Sequence, residues 1–278
     1  MSVSTNDLLE FKRSGTRFAV LTAYDYYSAR WLDQAGVPVI LVGDSLAMVV
    51  MGHANTLGVT LEEMLHHCRA VARGSQQALL IGDLPFGSYH LGLEQAVASA
   101  VAMIKDGGMH AVKMEGGGRV VEYTRVLVDM GIPVIGHLGL TPQFIHRFGG
   151  FKVQGRTASD QARLVTWAKE LEQAGVFGLV LEAMPSTLAR TITASVSIPT
   201  VGIGAGPDCD GQVLVFHDVF GLSMGHSPRF IRRYADLGGA IAEGAAAFIE
   251  DVRMGRFPSS EHEYRLQTEP VGADPIPQ

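Results

Sequence analysis

Short apolar runs recur along this chain, each closing on glycine or an acidic residue, and segments of helical length lie between them. The runs are Phe18–Ala23, Val39–Val42, Ala78–Ile81, Ala111–Met114, Pro133–Gly136, Phe177–Leu181, Pro199–Ile203 and Val213–Phe216. Most are rich in Val, Ile and Leu and lack strict apolar/polar alternation, the pattern of parallel strands buried on both faces. The runs at Val39 and Ala111 have compositions that also suit helix interior; their shortness and flanking glycines favour strand. The intervening helices are expected at Ala29–Ala35, Leu61–Arg73, Leu93–Lys105, Arg119–Met130, Ser159–Ala174, Pro185–Ala194 and Pro228–Arg253. Thr60 with Glu63 three residues on reads as a capping box, and glycines close several of the helices.

Repeated β/α alternation implies a parallel sheet with right-handed crossovers. About eight units in roughly 250 residues is the arithmetic of a (β/α)8 TIM barrel. A doubly wound open sheet competes, because periodicity does not report closure. No Pro/Ser-rich linker divides the chain, so residues 1–257 are expected to form one barrel domain. Residues 258–278 are expected to be an irregular tail, packed loosely or against another subunit.

Composition narrows the function. With 47% hydrophobic and 18% charged residues the chain can bury a large core. A net charge of −6 argues against a nucleic-acid partner. It leaves acidic small substrates open, since a local pocket can oppose the overall sign. The two cysteines, Cys68 and Cys209, form no metal or disulfide pattern. No signal peptide and no membrane-length apolar stretch is read, so a reducing, cytoplasmic setting is expected.

In a (β/α)8 barrel the chemistry sits where strands finish, and carboxylates fall there. Asp44 follows the second run, Asp83 the third, and Glu115 the fourth. Adjacent strands lie about 4.8 Å apart, so the three acids are expected to converge. Their mutual repulsion is relieved by a cation, and an all-oxygen set with open positions suits Mg²⁺ better than Zn²⁺. Each acid alone also reads as a cap for the following helix or turn; three in successive units weigh against that. Lys113 shares a strand face with Glu115. It reads either as a plain ion pair or as a cation for a substrate carboxylate or a developing negative charge. His137 ends the fifth run, placed to donate to substrate, ligate metal or position a carboxylate, or to serve structurally. Glu182 ends the sixth run nearly opposite the second strand, a candidate general base or a helix-cap partner. Gly202-Ile203-Gly204-Ala205-Gly206 is misplaced for a dinucleotide fingerprint. It suits a cradle for an anion or flat ring. Phe144, Phe148 and Phe151 read as core or lid, and Glu63/His66 as a solvated helix face.

Several motifs together resemble a known family. They are Leu21-Thr22-Ala23-Tyr24-Asp25, Val42-Gly43-Asp44-Ser45-Leu46, Asp83 through Tyr89, Val112 through Gly117, Gly136 through Gln143, Leu181-Glu182, and Ile203 through Val215. In this order, across about residues 18–225, they are similar to the ketopantoate hydroxymethyltransferase family. The resemblance implies a TIM barrel of the phosphoenolpyruvate/pyruvate type. It implies transfer of a one-carbon unit from 5,10-methylenetetrahydrofolate to 3-methyl-2-oxobutanoate, giving 2-dehydropantoate, in pantothenate synthesis. By the family's pattern Asp44, Asp83 and Glu115 surround Mg²⁺, and Asp44, Ser45, Asp83 and Lys113 hold the keto acid. Glu182 is the base, and His137 lines the substrate site. A homo-oligomer, typically a decamer, is implied, without nucleic-acid or membrane partners. The stretches His53-Ala54-Asn55-Thr56 and Gln143 to Gly150 depart slightly from the family pattern, in lid regions rather than at the metal. Two readings stand beside this one: another Mg²⁺-dependent enolate-forming barrel (a pyruvate aldolase or a phosphonopyruvate mutase or lyase), and a non-catalytic binding barrel.

Overall fold

The Val/Ile/Leu-rich runs bury both faces, as β2 illustrates: all four of its residues are buried. Val39 and Leu41 point inward with Val20, Ile81 and Ile135, while Ile40 and Val42 point outward against helices. Eight such strands form one parallel sheet: β1 (Phe18–Thr22), β2 (Val39–Val42), β3 (Leu79–Asp83), β4 (Ala111–Glu115), β5 (Val134–Gly139), β6 (Gly178–Glu182), β7 (Thr200–Ile203) and β8 (Gly211–Leu214). In the computed structural model, which describes residues 2–225 and 228–264, the strands are hydrogen-bonded in sequential order and the sheet closes. Closure is made by β1 against β8, with Phe18 opposite Gly211 and Leu21 opposite Leu214. The open-sheet alternative is thereby excluded.

Several boundaries differ from expectation. The eighth strand is Gly211–Leu214 rather than Val213–Phe216, because its register against β1 is already complete at Leu214. The chain then turns: the Phe216 amide donates to Thr22 Oγ1 at 2.9 Å and opens a short helix, Phe216–Val219. The helix expected from Ala29 begins at Tyr26, since the Asp25 carboxylate accepts from the Tyr27 and Ser28 amides and fixes the start earlier. The long C-terminal helix spans Leu237–Arg253 rather than starting at Pro228, with Asp236 capping it. The capping box at Thr60 and Glu63 is present, so Glu63 serves the helix terminus.

An N-terminal helix, Thr5–Ser14, precedes the first of the expected strands. Ser4 and Asp7 form its capping box and Gly15 ends it at φ +71°. Its Leu8, 1% exposed, inserts among the inward-facing strand residues and seals the N-terminal end of the barrel. Only the C-terminal end is left for a site.

One side of the barrel is bare. Ala19 of β1 and Gln212 of β8 sit on outward faces and are exposed. The Leu237–Arg253 helix has no buried residue, although Ile241, Phe248, Ile249 and Val252 lie along it. Most of the expected 258–278 tail lies outside the described residues.

Candidate active site

Strand register delivers the site. The β3–β4 pairing sets Asp83 opposite Lys113, the β4–β5 pairing sets Glu115 opposite His137, and the β5–β6 pairing sets Gly139 opposite Glu182. Asp44 stands two residues beyond β2. Asp44, Ser45, Asp83, Lys113, Glu115, His137 and Glu182 all line one cavity of about 160 Å³ at the C-terminal mouth. Asp44, Asp83, Lys113, Glu115 and His137 are each at most 4% exposed. Asp44, Asp83 and Glu115 bring one oxygen apiece within 4.8 Å of one another.

Lys113 bridges two of these acids. Its ammonium donates to Asp83 Oδ1 and Oδ2 at 2.7 and 2.6 Å and to Glu115 Oε1 at 3.0 Å. Burial alone would lower its pKa; the facing carboxylates outweigh burial and hold it well above the usual lysine range. Burial also works against ionised Glu115, but Lys113 and His137 overcome it and hold the carboxyl at about 2. Asp44 has no such partner. Burial, then the charges of Asp83 and Glu115, push it well above the ordinary carboxylate range. The cluster is short of positive charge at Asp44, and its donors are hard oxygens, so the residues present fit a divalent cation of the Mg²⁺ type.

His137 joins the cluster to Glu182. Its Nδ1 lies 3.1 Å from Glu115 Oε1, and its Nε2 lies 3.2 Å from Glu182 Oε2 without hydrogen-bond alignment. Burial and Lys113 disfavour the imidazolium, but Glu115 and Glu182 outweigh them and raise His137 to about 9. The Glu182 side chain is 18% exposed, at the edge between cluster and solvent. Two backbone features mark the strand end that carries it. A Cβ on Gly139 (φ +100°) would collide with the Glu182 carbonyl oxygen. Ala183 holds φ 45°, a left-handed conformation unusual for a residue with a side chain. It is pinned there by hydrogen bonds from its amide to the Ile203 carbonyl and from the Gln154 amide to its carbonyl, both 2.9 Å.

Sequence reasoning missed Gln143 as a site residue. Its side-chain amide donates to Asp44 Oδ2 at 3.1 Å and to the Leu84 carbonyl at 2.9 Å, and its backbone amide donates to Glu115 Oε2 at 3.1 Å. Tyr89 donates to Gln143 Oε1 at 2.6 Å and fixes the amide's orientation. Ser45 Oγ and the Tyr24 hydroxyl are 2.9 Å apart, which orients Ser45 at the rim. At the seventh loop, read from the sequence as a cradle for an anion or a flat ring, the Phe230 ring lies against Gly204. A Cβ on Gly204 would stand 3.0 Å from the Phe230 ring.

Comparison with solved structures places this fold. A phosphonopyruvate hydrolase in complex with oxalate and Mg²⁺ superposes with a TM-score of 0.59 at 15% identity, covering 93% of each chain. A 2,3-dimethylmalate lyase of the PEP mutase/isocitrate lyase superfamily superposes at 0.58 and 17% identity, covering 95% of this chain and 93% of the other. The protein is thus a closed (β/α)8 barrel with an acid cluster at its mouth, a fold it shares with these enzymes. Closer relatives are found by sequence. The profile of the ketopantoate hydroxymethyltransferase family matches residues 2–260. A 3-methyl-2-oxobutanoate hydroxymethyltransferase of Thermoanaerobacter sp. (strain X514) is 49% identical, covering 95% of this chain and 97% of the relative. That of Dehalococcoides mccartyi (strain CBDB1) is 50% identical with coverages of 96% and 95%, and that of Nitratidesulfovibrio vulgaris (strain DP4) 54% with 90% and 81%. The chain belongs to the ketopantoate hydroxymethyltransferase family.

Proposed function

We propose that this barrel transfers a hydroxymethyl group from 5,10-methylenetetrahydrofolate to 3-methyl-2-oxobutanoate, forming 2-dehydropantoate, a step toward pantothenate. The observation that carries the reading is the convergence of Asp44, Ser45, Asp83, Lys113, Glu115, His137 and Glu182 on one cavity, in a chain about half identical to relatives named for this reaction. Asp44, Asp83 and Glu115 would hold Mg²⁺, which supplies Lewis acidity for negative charge on the keto oxygen. Lys113 keeps Glu115 ionised and adds positive charge beside the keto acid; at Asp83 burial outweighs the lysine and holds the carboxyl above its ordinary value. Ser45 and Asp44 border the same space. Glu182 removes the C3 proton; the electron pair left on C3 forms the new bond to the one-carbon unit, one water is consumed, and tetrahydrofolate leaves. His137 steadies Glu115 through Nδ1 and sets Nε2 beside Glu182 and the substrate space.

The test is product analysis with keto acid, methylenetetrahydrofolate and Mg²⁺, omitting each in turn, on wild type and Glu182→Gln. Loss of one positioned base is expected to cost about 10²–10⁴ in turnover. Near-normal turnover of Glu182→Gln would move the base elsewhere. Conversion of the keto acid without folate would favour an aldolase- or lyase-type barrel instead.

We further propose that the chain self-associates, in the manner of the family's decamers. The apolar Leu237–Arg253 helix, wholly unburied, and the bare outer faces of β1 and β8 support this. Among the described residues no helix is long and apolar enough to cross a membrane. A cytoplasmic setting agrees with two buried, free cysteines.

A further inference from the structure

A second cavity lies behind the ends of β4 and β5. Glu115, His137 and Pro142 line the acid cavity. Their chain neighbours Gly116, Leu138 and Thr141 line another, of about 250 Å³, because successive residues of an extended chain face opposite ways. The two cavities share no lining residue. No carboxylate lines the second, and its charged side chains are Arg147 and Arg163. In a chain of net charge −6 this is a local inversion of sign. The Arg163 guanidinium is held in place, 5.3 Å from the Trp167 ring centroid and paired with Asp160. Arg147 forms no ion pair among the described residues. The apolar wall is built against glycine. A Cβ on Gly117 would collide with the Trp167 ring, and one on Gly116 would stand 3.4 Å from the Phe144 ring.

We propose that this cavity binds a small organic anion with an apolar body, and that its occupant acts on the acid cluster. The arginines recognise the charge, and Trp167, Phe144 and Leu138 cover the apolar part. A cavity of about 150 Å³ holds benzene, so this one suits roughly ten non-hydrogen atoms. The coupling runs through one short segment. Phe144 and Arg147 border this cavity. Gln143, beside Phe144 in the chain, donates its side-chain amide to Asp44 Oδ2 and its backbone amide to Glu115 Oε2, both at 3.1 Å. An occupant that holds Phe144 and Arg147 also holds Gln143 between two of the acids that would carry the cation. By linkage the cation then strengthens the occupant's binding by the same factor. The site does not depend on which keto acid the barrel takes.

The chain has two tryptophans, and Trp31→Phe leaves Trp167 to report the cavity by its fluorescence. 3-Phenylpropionate and its neutral analogue 3-phenylpropionamide are titrated into this protein, and into the same protein carrying Arg147→Gln and Arg163→Gln together. The carboxylate is expected to shift the emission along a saturating curve and to bind about 10-fold more tightly than the amide. Without the two arginines that advantage should vanish while the amide binds as before, which shows the pocket still formed. Equal affinity for the two probes in the parent protein, or an advantage that survives loss of both arginines, would overturn the site. So would the lack of any saturating response below about 10 mM. Mg²⁺ is then titrated calorimetrically with and without 3-phenylpropionate. A Kd tightened about 5-fold is expected in the parent protein and no change without the arginines. An unchanged Kd in the parent protein would overturn the coupling, and an effect that persists without the arginines would put the probe in the acid cavity instead.

Discussion

Lys113 and Asp83 face each other across the β3–β4 register, and the ammonium donates to both oxygens of the carboxylate, at 2.7 and 2.6 Å, in a pair almost sealed from solvent. Such a pair is held by mutual need. Each charge is costly to bury alone, and Glu115 shares the same ammonium.

Lys113→Met is therefore expected to leave two buried carboxylates without their cation and to cost about 3–5 kcal/mol of stability at neutral pH. A divalent ion then has more charge to neutralise in the variant than in wild type. Thermal melts with and without Mg²⁺ check this: the magnesium-induced rise in Tm should be larger for Lys113→Met. Equal rises would separate the lysine from the ion's site.

Gln143→Leu removes the donor to Asp44 Oδ2 and strands the Tyr89 hydroxyl. Groups that orient metal-holding carboxylates typically matter about 10- to 100-fold in affinity. Titration of Mg²⁺ into the variant is expected to show a loss of that size with the fold retained. An unchanged Kd would reduce Gln143 to a loop tether.

Asp33 ties the Tyr26–Gln34 helix to the entry of β3. Its Oδ1 accepts from Ser75 Oγ at 2.7 Å and from the amides of Gln77 and Ala78 at 2.9 and 3.0 Å. Burial raises its pKa, but these donors outweigh burial and hold it below the ordinary value of 3.8. A lowered carboxylate contributes stability that is fully present above its unfolded pKa and is lost as pH falls through the folded one. Asp33→Ala is expected to cost about 2–4 kcal/mol near neutrality. Denaturant unfolding at a series of pH values should show the gap to wild type constant above about pH 5 and narrowing below about pH 4.

Ile241→Asp and Phe248→Asp place charges on an exposed apolar helix, where the lone chain gives up little beyond the edge-on contact of Phe248 with Phe257. If copies of the chain meet there, each substitution removes about 1.5–3 kcal/mol of burial per subunit. Sedimentation velocity should then show smaller species with an unchanged circular dichroism spectrum. The wild-type assembly persisting in both variants would put the interface elsewhere.

Much of this site was legible in the sequence because a parallel barrel turns order along the chain into order in space. Val39–Val42, Leu79–Ile81 and Ala111–Met114 each announce a strand, and the acid just beyond each is carried to the same rim. Gln143 was not legible in that way. It meets Glu115 across 28 residues and Asp44 across 99, contacts made by a folded-back loop that leaves no periodic trace. Phe230 covering Gly204 is a contact of the same kind. The helix at Thr5–Ser14 carries cap signals, Ser4 with Asp7 and then Gly15, but buries a single side chain, Leu8, and so shows no core stripe. The early end of β8 was set by pairing with β1, a constraint that belongs to closure and to no local pattern.

Leu8 corks the far end of the barrel, and so the barrel is a blind well with a single opening. Whatever settles at its floor must arrive before anything lies across the brim, and must depart after it. On the proposed function, the small acid binds at the bottom first and the large co-substrate above it second, with the large one leaving first.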